Sequence, residues 1–196
     1  MVLPLFLLAT IAKSQTFDQA CVNADIIFIG DISGSIKDFE RERAEGLETM
    51  LEVIPPKEGS VRYGVISFSD SATIDMPLSH DSIALQNVVK QWHKIRAHGS
   101  TNLYSALFSA EYLLSKSYRK KTQVVIVVTD GDVDSDTEEE TIALANSMKS
   151  KGIIILSIDV GNSDTDLVIL EGISTFYIKT NMVDLSKTLK KMFPCM

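Results

Sequence analysis

Asp31-Ile32-Ser33-Gly34-Ser35 follows the apolar run Ile26-Ile27-Phe28-Ile29, so that three short oxygen-bearing side chains stand at alternate positions where a buried strand ends. Alternate side chains share a side of an extended chain, which turns Asp31, Ser33 and Ser35 toward one point. One carboxylate with two neutral hydroxyls is a hard-oxygen set, better suited to Mg²⁺ than to zinc or copper. On this stretch alone a second reading stays open, because Ser and Asp before a helix are common N-caps.

Two further segments carry matching residue types. Ser100-Thr101-Asn102 precedes a helical pattern, and Thr129-Asp130-Gly131 follows the continuous apolar run Val124-Val125-Ile126-Val127-Val128. A carboxylate again ends a buried strand. In open α/β sheets, ligands gather outside the carboxyl ends of the strands near the point where strand order reverses. Asp31, Ser33, Ser35, Thr101 and Asp130, in that order on that strand pattern, resemble the metal-ion-dependent adhesion site of the von Willebrand factor A family, which includes the inserted domains of integrins.

The resemblance runs from about Ala24 to Met192. Val61-Arg62-Tyr63-Gly64-Val65-Ile66-Ser67-Phe68-Ser69 looks like the family's second strand, and Gly152-Ile153-Ile154-Ile155-Leu156-Ser157-Ile158 like its fifth. It implies a doubly wound α/β fold: a mostly parallel sheet with one short antiparallel edge strand and helices on both faces. It also implies Mg²⁺ or Mn²⁺ at those five side chains, with Ser33 and Ser35 ligating directly. Thr101 and Asp130 would exchange direct for water-mediated contacts as a partner's acidic side chain arrives, coupled to movement of the last helix around Leu185 to Met192. Two departures stand out. His98-Gly99-Ser100 replaces a pair of glycines before the metal-binding Thr, and Ile158-Asp159-Val160-Gly161 carries an extra carboxylate. Neither removes a ligand.

A chain of 196 residues, 45% hydrophobic and 23% charged, suits one globular domain, and no composition shift marks a second. Its net charge of −7 argues against nucleic acid as a partner, since phosphate contacts dominate that affinity. The densest basic group, Arg119-Lys120-Lys121, reads as a solvated turn before a strand. Met1 to Ile11 is apolar apart from Thr10 and too short to span a bilayer. With Ala12 and Ser14 at the −3 and −1 positions, residues 1–14 read as a secretory signal and residues 15–196 as one mature domain with its core at about 24–192. Cys21 and Cys195 are the only cysteines. In the family the first strand is central and its start can lie near the end of the last helix, which implies a Cys21–Cys195 disulfide; an extracellular route permits it. Loop entropy assigns such a bond about 5 kcal/mol. No Asn-x-Ser/Thr sequon occurs.

Apolar spacing predicts a helix over Ile36–Val53 ended by Pro55-Pro56, a strand over Val61–Ser69, and a short antiparallel return over Ala72–Met76. Helices follow over Ser82–Lys94, Leu103–Leu114, Glu138–Lys149 and Leu185–Met192, with strands over Val124–Thr129, Ile153–Ile158 and Thr175–Ile178. Strands alternating with helices imply a mostly parallel sheet covered on both faces.

Asp130, Asp132, Asp134 and Asp136 alternate like an EF-hand, but that loop needs Gly sixth and Glu twelfth, where this chain has Ser135 and Thr141. The acidic run through Glu138-Glu139-Glu140 reads instead as a helix start. His80, His93 and His98 lack a close metal-ligand spacing and read as solvent or loop residues; Trp92 reads as half-buried. The chain has no G-x-G-x-x-G, P-loop or G-x-S-x-G motif. The leading expectation is a secreted, non-enzymatic module that binds an extracellular or matrix protein through its Asp or Glu. A metal-dependent hydrolase, with His98 as base, and a structural scaffold are the alternatives.

Overall fold

The computed structural model describes residues 23–131, 133–161 and 167–193, so the expected leader, Cys21, Cys195 and Asp132 lie outside the described residues. β1 (Ala24–Asp31) is buried along its whole length. Parallel neighbours flank it, β2 (Arg62–Phe68) on one side and β4 (Thr122–Thr129) on the other, with Phe28 opposite Val65 and Ile126. β5 (Ile154–Asp159) and β6 (Phe176–Lys179) continue in parallel beyond β4, and β3 (Ala72–Ser79) pairs antiparallel with β2 at the far edge. The order is β3-β2-β1-β4-β5-β6. The sheet is therefore mostly parallel with one antiparallel edge, as the strand pattern predicts.

Period-two alternation divides each central strand between two cores. Ile26 and Phe28 enter one, beneath α1 (Glu40–Val53), α2 (Ser82–Trp92) and α6 (Leu185–Met192), where they meet Leu47, Val89 and Leu185. Ile27 and Ile29 enter the other, beneath α3 (Leu103–Ser115), α4 (Glu138–Ser150) and α5 (Leu167–Ile173), with Leu107, Met148 and Leu170. Because both faces are covered, β1 and β4 read as continuous apolar runs rather than alternating ones. Each fully buried Ile or Phe contributes about 2 kcal/mol over exposure.

Several boundaries move. Ile36 belongs to a 3-10 turn over Gly34–Phe39, and the α-helix begins only at Glu40. β3 runs three residues past Met76, with register irregularities between Tyr63 and Ile66; Pro77 is tolerated because β3 is an edge strand. α5 was not expected: it is one short stretch of seven residues, too brief for a helical period to stand out. Trp92 is fully buried, not half-buried, and its indole N–H donates to Asp75 Oδ2 at 3.1 Å. Arg119 is not a solvated turn residue either. Its guanidinium donates to Asp25 Oδ1 at 3.3 Å and to the carbonyls of Gly59 and Ser60 at 3.0 and 2.7 Å.

β1 precedes β2 on one side, whereas β4 is added on the other. The reversal of strand order thus falls between β1 and β4, and the loops leaving their carboxyl ends begin with Asp31 and Asp130. No helix among the described residues is long and apolar enough to cross a membrane.

Candidate metal centre

Asp31 ends β1 with no exposed surface, and its side chain is held by two donors. The Ser33 N–H reaches Oδ1 at 2.7 Å and closes a turn that folds the loop back over the strand end. The Thr129 hydroxyl, at the end of β4, donates to Oδ2 at 2.6 Å and accepts from the Gly131 N–H at 3.1 Å. Burial pushes the Asp31 carboxyl up to about 6; the Thr129 and Ser33 hydrogen bonds oppose that rise, and the negative charge of Asp130 adds to it.

The N-cap reading of Ser33 fails. Ser33 does precede the 3-10 turn, but its side chain makes no capping hydrogen bond. Its Oγ stands 3.0 Å from Ser35 Oγ instead. Ser33 is buried while Ser35 is exposed, so the pair runs from the interior to the surface.

The Thr101 loop is tied to its neighbours on three sides. The His98 N–H donates to Ile32 O at 2.8 Å and the Gly34 N–H to Gly99 O at 3.1 Å, a short ladder joining it to the Asp31 loop. On the second side, the Ser100 N–H donates to Asp70 Oδ1 at 2.8 Å and the Asn102 N–H to Ser69 O at 2.8 Å. On the third, Asp134 accepts from Ser100 Oγ at 3.1 Å and from the Thr101 N–H at 3.3 Å, and its own N–H donates to Thr101 O at 3.1 Å. Gly99 takes φ +79°, a conformation that favours glycine, and a Cβ there would stand 2.6 Å from Asp70 Oδ2 and displace that carboxylate. Thr101 itself is buried at the foot of this loop.

A match to the von Willebrand factor type A domain family spans residues 25–191. The chain belongs to that family. It is 27% identical over 169 residues to the human collagen alpha-6(VI) chain, covering 82% of this chain and 7% of the collagen. It is 29% identical over 135 residues to mouse inter alpha-trypsin inhibitor heavy chain 4, covering 64% of this chain and 14% of that protein. The chain thus spans only a small fraction of the length of these curated relatives. Among solved structures, proximal thread matrix protein 1 from the mussel byssus superposes with a TM-score of 0.73 at 19% identity, over 88% of this chain and 46% of that one. The manganese-loaded Plasmodium vivax TRAP protein superposes with a TM-score of 0.71 at 18% identity, over 89% and 74% of the two chains. At those identities the structural likeness concerns the fold.

In this von Willebrand factor A domain the five candidate side chains offer two carboxylates and three hydroxyls. Among the described residues no group of three or more His, Cys, Asp or Glu is placed to hold a metal ion, so any site here depends on the hydroxyls. They fit. Adjacent ligands on an octahedral Mg²⁺ at about 2.0–2.1 Å stand about 3.0 Å apart, which is the Ser33–Ser35 separation. Both oxygens of Asp31 are oriented by fixed donors.

Sequence reasoning missed three residues around this centre, Thr129, Asp70 and Arg43, and the bracing role of a fourth, Asp134. Thr129 reads as the last residue of an apolar strand, although its place beside Asp130 could have signalled a polar role. Asp70 and Asp134 act across the fold, and nothing in their local sequence names the Ser100–Thr101 backbone as their partner. Arg43 lies on α1 without exposed surface and donates toward the carbonyls of Asp31, Trp92 and Ile95 at 3.4, 3.2 and 3.2 Å. The two sequence departures also find roles. Ser100 supplies the hydroxyl that reaches Asp134, while Asp159 accepts from the Gly161 N–H at 2.8 Å and the Tyr177 hydroxyl at 2.7 Å. His98 is exposed and meets the Asp31 loop through its backbone.

Proposed function

We propose that this domain is an extracellular protein-binding module that docks an acidic side chain of its partner on a Mg²⁺ or Mn²⁺ held by Asp31, Ser33, Ser35, Thr101 and Asp130. The observation that carries the reading is a buried Asp31 at a strand end followed by a hydroxyl pair with the ligand spacing of a small octahedral ion, on a loop hydrogen-bonded to the Thr101 loop. When bound, the ion supplies a Lewis-acid position that attracts a carboxylate. The chain's own residues do the rest. Asp31 and Asp130 supply two negative charges, which balance a divalent cation, and the hydroxyls add no further charge, so the ion stays electrophilic toward a further carboxylate. Asp70 and Asp134 hold the Thr101 loop at the rim.

The kinship with collagen VI chains and inter alpha-trypsin inhibitor heavy chain supports an extracellular, non-enzymatic role. Under the same proposal residues 1–14 are a cleaved signal, residues 15–196 form the mature domain, and Cys21 pairs with Cys195. Intact-mass analysis of secreted protein tests this: it should show loss of the leader and of two hydrogens, and two alkylatable thiols in non-reduced material would defeat the pairing.

The decisive experiment is capture of extracellular partners in Mg²⁺, Mn²⁺, Ca²⁺ and EDTA, followed by affinity measurement for wild type and Asp31→Ala. Binding should need Mg²⁺ or Mn²⁺, fall in EDTA, and be nearly abolished in Asp31→Ala. Ca²⁺ should substitute poorly because it prefers more ligands at longer distances. Equal affinity in EDTA and Mg²⁺ would refute the reading.

A further inference from the structure

At the opposite end of the sheet, between α3 and β4, the chain runs Lys116-Ser117-Tyr118-Arg119-Lys120-Lys121, four cations in six residues on a chain of net charge −7. This loop is clamped. The Ser117 hydroxyl donates to buried Asp25 Oδ2 at 2.6 Å, and Arg119 spans from Asp25 to the backbone of Gly59 and Ser60. Between those two anchors Tyr118 is 99% exposed. Lys116 and Lys120 are exposed and Lys121 half-buried. A helix C-terminus attracts cations, which accounts for Lys116 at the end of α3. It does not account for Lys120 and Lys121, which lie beyond the helix, nor for an aromatic ring held in water by a fixed loop.

The surface beside the loop has matching character. Two hollows, of about 460 and 350 Å³, flank the last turns of α3 and meet at Tyr112 and Ser117. Phe108 and Lys151 line the first, Lys116 and Leu78 the second. Phe108 and Tyr112 are about half exposed, at 54% and 51%, and the Lys116 ammonium lies 5.1 Å from the centre of the Tyr112 ring. Lys151 is held at 2.5 Å by Glu111, so one carboxylate tempers the patch.

We propose that this end of the domain binds a sulfated polysaccharide. Short Lys/Arg-rich segments are recognition patches for nucleic acids or heparin-like polymers. Here exposed aromatic rings offer flat apolar faces to sugar rings, while the lysines take sulfate groups. The extracellular setting proposed above favours a sulfated polysaccharide; single-stranded nucleic acid offers similar charge and stacking bases, and the test separates the two. An eight-residue strand separates the loop from the candidate metal centre by about 25 Å, so both surfaces can be occupied at once. The proposal goes beyond the metal-dependent reading and does not depend on it.

The test is binding of the full chain to immobilised heparin in EDTA across a salt series, with single-stranded DNA and phosphatidylserine vesicles as comparison polyanions. Wild type should bind heparin, and Asp31→Ala should bind equally well, which separates this surface from the metal centre. The combined Lys116→Ala, Lys120→Ala, Lys121→Ala chain should lose about tenfold or more in affinity, and the slope of log affinity against log salt should drop by about one per lysine. Tyr118→Ala should weaken binding at an unchanged slope. Replacing the three lysines by arginine should preserve binding, which guards against a folding artefact. The assignment is overturned by no heparin binding, by full affinity of the triple alanine chain, or by equal affinity for DNA or vesicles.

Discussion

At Asp31, the proposed metal affinity and the stability of the fold should respond to pH in opposite directions. Its carboxyl titrates near 6 when folded, against an ordinary value of 3.8, chiefly because it is buried. The folded chain therefore holds a proton there that the unfolded chain has released, and the metal-free fold loses stability as pH rises from about 4 to about 6, by about 3 kcal/mol. A cation needs the carboxylate, so Mg²⁺ affinity should fall about tenfold per unit below pH 6 and level off above it. Calorimetric titration between pH 5 and 7.5 checks this; a flat profile would count against Asp31 as part of the site. Thr129→Val removes one of the two donors to Asp31 and should cost about 1–3 kcal/mol in a denaturant titration at neutral pH.

The elements that matter most to the site are its loops, and each is held by contacts from another part of the chain. Asp134 bridges the β4 loop to Ser100 and Thr101, so Asp134→Ala should leave the thermal midpoint within a few degrees while weakening partner binding by about tenfold. Amide exchange at Thr101 should quicken in the same variant. Gly99→Ala is more severe, since φ +79° costs an alanine about 1–2 kcal/mol and its Cβ would press on Asp70. Urea midpoints rank these two variants; a neutral Gly99→Ala would contradict the geometry. Below the loop, Gly30 lets Trp92 pack directly on β1, where a Cβ would come within 2.5 Å of the indole ring.

Across the whole molecule, the amino ends of β1 and β2 and the loop that leads into β4 are joined by one buried charge. Burial alone pushes Asp25 upward, but hydrogen bonds from Arg62 and Ser117 and the charges of Arg62 and Arg119 reverse that and hold it below the usual carboxylate range. A depressed folded value contributes stability that is full above the unfolded value and lost as pH falls through the folded one. The domain should therefore lose this contribution below about pH 4, and Asp25→Asn should abolish the effect while costing about 3 kcal/mol at neutral pH. Acid-denaturation curves of the two chains provide the comparison. Adding Mg²⁺ at about 100 times its dissociation constant should raise stability by about 2.7 kcal/mol in wild type and not in Asp31→Ala.

Much of the architecture was legible because it rests on local patterns. The apolar runs at Ile26–Ile29 and Val124–Val128 mark strands buried on both faces, and short oxygen ligands at their carboxyl ends locate the switch point of the sheet. The family resemblance rests on the same residues. What only the tertiary structure decided involves partners far apart in the chain: Thr129 on Asp31, Asp70 and Asp134 on the Thr101 loop, Arg43 beneath Asp31, and the Arg119 clamp that turns a basic run into a fixed surface. A side chain's type is written in the sequence. Whether its hydrogen bond is made to water or to a group as far as 98 residues away depends on which strands become neighbours, and that is set by packing of the assembled sheet.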